Sequence, residues 1–184
     1  MRIIFLSDLA TGVMDVIAWI CFHLSIGYWS SRIPINFFDP QRALYLTKKW
    51  ERGGEIYDKI FHVRSWKKFI PSGANLYPNT FKIKTLPSFK LDYVEHWLKE
   101  SCRAEFCHWI MILPGFLFFL WNSVEVGWWM VLYAILNNLV PIIMQRYNRP
   151  RVRKMLAQLT KNAPQKQELY VNFEPQEALS HSYR

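Results

Sequence analysis

Apolar residues gather in three blocks, Gly12 to Trp29, Phe106 to Trp121 and Val126 to Met144, and almost all charge lies outside them. The first and third reach the length of a bilayer crossing, and the second does so once Ala104 and Glu105 are added. This pattern predicts an all-α integral membrane protein with about three transmembrane helices, over roughly 12–29, 104–121 and 126–144. A secretory signal is a poor account of the first block. Only one Arg precedes it, Asp8 and Asp15 interrupt it, and no small-residue cleavage site follows. The sequence Ser30-Ser31-Arg32-Ile33-Pro34 reads instead as a helix stop at an interface.

Between the first two spans, residues 30–103 do not read as a flexible linker. Trp50, Tyr57, Phe61 and Trp66 are interleaved there with Lys48, Lys49, Arg52 and Lys59, and Gly53-Gly54 predicts a break between two helices. Such a mixture suits a helix lying in the headgroup plane or a packed, basic cytoplasmic cap, and the pattern alone does not choose between them. Turn signals follow at Pro71-Ser72-Gly73-Ala74-Asn75, Pro78-Asn79 and Pro87-Ser88. A helix then begins near Leu91 or Asp92 and meets no breaker until Pro114, which puts Val94, Leu98, Ser101, Glu105, His108 and Ile112 on one stripe. Arg151 to Thr160 predicts a short amphipathic helix. Residues 1–161 form a single membrane-embedded domain, and 162–184, polar and without a period, a disordered tail.

Charge sets the expected orientation. The net charge is +9; 14 Lys/Arg fall between Ser30 and Ala104, eight follow Met144, and the connection from Asn122 to Val126 has none. The positive-inside bias puts the long loop and the C-terminus in the cytoplasm and the N-terminus outside. Asp8 and Asp15, one heptad apart, then fall near the outer interface in a solvated or snorkelling role. The basic residues flank spans, so membrane lipid or a phosphorylated substrate accounts for them and nucleic acid is not needed. Three cysteines make no disulfide framework: Cys21 and Cys107 lie in apolar segments, and Cys102 is expected reduced on the cytoplasmic side.

Three polar features carry candidate chemistry. Glu105 and His108 are three residues apart at the mouth of the second span, where their side chains can meet, and an ionisable pair near bilayer depth is costly. Its structural alternative is a pair in the headgroup layer that ends the helix. Ala134, Asn138, Pro141 and Gln145 share a face of the third span, a pattern equally typical of hydrogen bonds between helices. The run Arg146-Tyr147-Asn148-Arg149-Pro150-Arg151 suits a phosphate or carboxylate clamp, or a positive stop signal. Two irons would need a second Glu-x-x-His motif and further carboxylates, so no metal is expected.

These segments, with Arg32-Ile33-Pro34, Val63-Arg64-Ser65-Trp66-Lys67, Arg103-Ala104-Glu105 and Ile112-Leu113-Pro114, resemble the glycosyl-diaponeurosporenoate acyltransferases in order from about Trp19 to Leu156. The resemblance implies a small multi-pass protein of the bacterial cell membrane. It implies esterification of the sugar hydroxyl of a glycosylated C30 carotenoid, or a similar glycolipid, with a fatty acyl chain, the last step of staphyloxanthin-type pigment synthesis. On that chemistry, His108 is expected as the general base, with Glu105 fixing its tautomer. Asn138 or Gln145 would serve as oxyanion donor, with Tyr147, Asn148 and Trp109 as further substrate contacts. Arg146, Arg149, Arg151, Arg64, Lys67 and Arg103, with Lys68, would hold the phosphates of an acyl-CoA or another activated donor. No cofactor is required. The expected partners are membrane lipids, the amphiphilic acceptor, the acyl donor and other enzymes of the pathway. Cys107 is expected on a different face from the stripe, so direct transfer is favoured over an acyl-enzyme. A non-catalytic membrane scaffold or lipid-binding protein is the alternative, and it gives no reason for Glu105, His108 and the arginine run to occur together.

Overall fold

The computed structural model describes residues 2–70, 73–77 and 80–172, without the side chains of 74, 75 and 162–172. All regular structure among the described residues is helical. α1 (Asp8–Arg32) starts at Ser7, whose hydroxyl accepts from the Ala10 amide, and stops where Ile33 turns extended ahead of Pro34. In its N-terminal half Asp15 Oδ1 accepts from Trp121 Nε1 at 2.7 Å and from Asn122 Nδ2 at 2.8 Å. Asp15 is therefore buried rather than solvated or snorkelling, because two fixed donors replace its water, whereas Asp8 is exposed.

The chain next forms short 3₁₀ turns (Ile35–Phe37 and Lys49–Gly54), then α2 (Glu55–Phe61) and α3 (Val63–Trp66). This segment is a cap packed on the spans. Phe38 and Tyr45 bury Cys102, while Tyr57 and Val63 pack with Ile143 and Tyr147. The break expected at Gly53-Gly54 is a left-handed turn, with φ of 47° at Arg52, 66° at Gly53 and 86° at Gly54. Only the last glycine is also pressed for space: a Cβ there would lie 3.0 Å from the Tyr147 carbonyl oxygen and 3.1 Å from that of Arg146.

α4 (Leu91–Ile112) ends as the Pro114 breaker predicts, tightening into 3₁₀ turns over Leu113–Leu120. After a short turn α5 (Val124–Asn172) runs unbroken through Pro141 and Pro150. The third span and the amphipathic helix expected after Arg151 are thus one element, which reaches Asn172. Residues 173–184 lie outside the described residues, as do Pro71-Ser72 and Pro78-Asn79. α4 and α5 form the main interface, and beyond α4 Gly115 lets the 3₁₀ segment approach α5: its Cβ would stand 3.0 Å from that of Ala134. Asp8–Arg32, Leu91–Leu120 and Val124–Lys161 are each long and apolar enough to cross a membrane.

Candidate active site

Two polar assemblies occupy the space between the spans, and the first is closed. Glu105 is fully buried on α4. Its Oε1 accepts from Arg146 Nε at 2.8 Å and from Trp109 Nε1 at 3.3 Å, while Arg149 Nη1 lies 2.6 Å from its Oε2. Arg146 Nη1 reaches on to Glu51 of the cap at 2.9 Å. Two carboxylates and two guanidiniums therefore neutralise one another, which makes their burial tolerable. The remaining donors tie the cap to α5: Arg146 Nη2 donates to the Leu44 carbonyl at 2.7 Å and Arg149 Nη1 to that of Tyr45 at 3.3 Å. Burial alone would raise the Glu51 carboxyl, but hydrogen bonds from Tyr57, the Lys48 amide and Arg146 outweigh it and hold its pKa below the ordinary value. Burial pushes the neighbouring Tyr45 phenol up to about 12, so it stays protonated at neutral pH.

The Glu105–His108 contact expected from their spacing is replaced. Two arginines on α5 capture the carboxylate, because charge-assisted bonds outcompete one to a neutral imidazole. His108 Nδ1 instead lies 2.9 Å from Asn138 Oδ1. The amide orientation follows from its other end, where Asn138 Nδ2 donates to the Ala134 carbonyl at 2.9 Å. Asn138 Oδ1 can only accept, so Nδ1 carries the proton and the Nε2 lone pair is left open. Asn138 is thus engaged at both ends of its amide, and it is not among the residues that line the cavity between α1, α4 and α5.

The second assembly is an open cavity of about 650 Å³ bounded by α1, α4, α5 and part of residues 73–86. His108 lines it, as do Gln145 and Asn148. Along α4 the lining runs from Met111 to Trp97, a rise of about 21 Å. Lys67, Lys68, Lys84, Arg103 and Arg151 give it a cationic wall toward the cap. Arg103 Nη1 also pairs with Glu100 at 2.9 Å, and its Nη2 donates to the Ile33 carbonyl at 2.9 Å. Gln145 Oε1 accepts from Ser101 Oγ at 3.0 Å, and Asn148 Oδ1 accepts from Lys67 Nζ at 3.0 Å. Tyr77 closes one side, its hydroxyl donating to the His23 and Leu24 carbonyls at 3.3 and 3.2 Å where Gly27 leaves room for it.

The sequence-predicted site residues thus divide. His108, Gln145, Asn148, Lys67, Arg103 and Arg151 meet at the cavity. Arg146 and Arg149, expected in a phosphate clamp, are spent on Glu51 and Glu105. Tyr147 is a core residue, its ring under Arg151 at 3.7 Å and Lys67 at 4.9 Å. Trp109 packs against Glu105, and Arg64 sits on the surface beside Asp58. Cys107, expected on another face from the stripe, lines the cavity with His108. Sequence reasoning missed His23, which lines the cavity from α1. An ionisable residue inside a predicted span was the signal available.

The described residues thus make an all-helical protein with three helices long and apolar enough to span a membrane and a partly polar cavity among them. The model of the glycosyl-4,4'-diaponeurosporenoate acyltransferase family matches residues 41–158, which take in most of the cap, α4 and most of α5. The glycosyl-4,4'-diaponeurosporenoate acyltransferases of Staphylococcus aureus strains MRSA252 and N315 are each 35% identical to this chain over 138 residues, covering 75% of it and 83% of the relative. That of strain USA300 is 34% identical over the same length. No solved structure matches the chain. The chain belongs to the glycosyl-4,4'-diaponeurosporenoate acyltransferase family and is an acyltransferase.

Proposed function

We propose that this enzyme transfers a fatty acyl chain to a sugar hydroxyl of a glycosylated C30 carotenoid acid or a similar glycolipid, with His108 as the general base. The observation that carries the reading is His108, engaged at Nδ1 by Asn138, lining a cavity with a cationic wall. Nε2 takes the hydroxyl proton as the sugar oxygen attacks the acyl carbon. The new O–C bond forms, the bond from the acyl carbon to its leaving group breaks, and His108 returns the proton to the leaving group. With a thioester donor the group released is a thiol. Gln145, whose Oε1 is committed to Ser101, offers its amide Nε2 to the developing oxyanion. Lys67, Lys68, Lys84 and Arg151 suit the phosphates of an acyl-CoA or another activated acyl donor, and no cofactor enters. Acceptor and product remain in the lipid of the bacterial cell membrane. The N-terminus lies outside and the cap and C-terminus inside, so the donor comes from the cytoplasm.

The test is pigment and lipid mass analysis of cells that supply a glycosylated C30 carotenoid acid and express the protein or His108→Ala. The expected result is a species heavier by one fatty acyl group, with at least about a hundredfold less of it for the variant at equal membrane content. A variant with a near-normal rate overturns the mechanism. No mass shift with folded protein in the membrane would turn the reading to a scaffold.

A further inference from the structure

α5 carries two adjacent amides, and each meets an imidazole on a different helix. Asn138 holds His108 of α4, while Asn137 Nδ2 lies 3.4 Å from His23 Nε2 of α1. His23 Nδ1 is 2.8 Å from the Trp19 carbonyl, which can only accept. Nδ1 therefore carries the proton, and Nε2 presents a lone pair. Both rings line the same cavity. The site thus holds two nitrogen acceptors in the same tautomer, bracketed by consecutive residues of one helix. One suffices to deprotonate a hydroxyl. The Asn137 contact is longer than an ordinary hydrogen bond, so a hydroxyl group would displace it. Asn137 is also exposed within a segment apolar enough to cross a membrane, where an unshielded amide beside an imidazole is costly unless a polar group docks on it. His23 lies ahead of residues 41–158, outside the part of the chain the family model covers.

We infer that His23, with Asn137, forms a subsite for a second hydroxyl of the acceptor sugar, and so determines which hydroxyl reaches His108. The inference rests on the acyl-transfer reading above. A vicinal hydroxyl donates to His23 Nε2, and Asn137 Nδ2 donates to the oxygen of the same or the next hydroxyl. The sugar is held at two points on neighbouring faces of α5, about 100° apart for consecutive helical residues, which leaves one hydroxyl within reach of His108 Nε2. His23 moves no proton in the reaction.

The chemistry of the two histidine nitrogens supplies the test. His23→Asn keeps a donor where Nδ1 bonds the Trp19 carbonyl and removes Nε2. His23→Gln keeps a polar atom where Nε2 stands. Full-length protein in detergent, with acyl-CoA and either the glycosylated carotenoid acid or an alkyl glucoside, is assayed for acceptor KM, kcat and the position of the ester by fragmentation of the acylated sugar. Wild type is expected to give one regioisomer. His23→Asn is expected to give a mixture, with acceptor KM raised about tenfold and kcat within a few-fold. His23→Gln is expected to recover much of the selectivity. With monodeoxy glucosides, loss of one particular hydroxyl should raise KM for wild type and leave His23→Asn unaffected. An unchanged regioisomer and KM in His23→Asn overturns the subsite. So does equal loss in both variants with lowered thermal stability, which marks His23 as structural. Absence of acylation by wild type overturns the function itself, separately from the subsite.

Discussion

Glu105 and His108 show how little a shared helix face says about which residue partners which. They are one turn apart, yet Glu105 turns to Arg146 and Arg149, and His108 to Asn138. The carboxylate is then part of a buried ion-pair network, and the amide is the partner of the imidazole. Glu105→Ala leaves Arg149 without a carboxylate and Arg146 with Glu51 alone, and removing one member of a buried pair costs about 3–5 kcal/mol. We expect a sharp drop in the detergent melting temperature together with loss of activity, and a smaller drop for Glu105→Gln. A Glu105→Ala protein of wild-type stability but without activity would return Glu105 to the chemistry. His23 belongs at this scale too, as a lone histidine whose meaning depends on the neighbour that α5 brings to it.

Among the elements, the cap is the one whose placement decides the site. It is short of regular helix and docks through arginines of α5 that reach back to its carbonyls and to Glu51. That docking requires the backbone of Gly54 to lie against the carbonyls of Arg146 and Tyr147. Gly54→Ala adds a Cβ to a left-handed residue and drives it into backbone, whereas Gly53→Ala meets open space and carries only the conformational cost, about 1 kcal/mol. Limited proteolysis of the purified protein should therefore cut the cap faster in Gly54→Ala than in Gly53→Ala. Equal rates would mean that the cap is not held through this contact. α5 makes the complementary point: its two internal prolines leave it one helix, because neighbours packed along its length outweigh the hydrogen bonds that proline removes.

For the whole molecule, three spans and a cap on one side imply a fixed orientation. With Cys21, Cys102 and Cys107 replaced by alanine, a membrane-impermeant maleimide should label Ser123→Cys in intact cells. It should label Lys59→Cys only after permeabilisation, since Ser123 lies in the turn between the second and third spans and Lys59 in the cap. The opposite pattern would invert the protein and put the cationic wall, and the acyl donor, outside. Asp15 contributes at the same scale, pinning α1 to the turn after α4 through Trp121 and Asn122 and so holding His23 against the cavity.

The three spans, the helix from Leu91 to Ile112 and the break at Gly53-Gly54 followed from local pattern, because apolar period, proline and glycine act within a few residues of themselves, while the family came from the resemblance of ordered segments. Of the polar residues the sequence singles out, His108, Gln145, Asn148, Lys67, Arg103 and Arg151 line the cavity, and polar groups in or beside apolar blocks are few. Which of these groups met was decided only by tertiary structure. Arg146 and Arg149 look like free cations along the chain and are neutralised by carboxylates 41 and 44 residues away or more. His23 looks like a stray polar residue until α5 sets Asn137 beside it, 114 positions on. Hydrogen bonds and ion pairs reach about 3 Å in space and have no fixed range along the chain, so the partners of a buried polar group come from the packing of the helices that carry them.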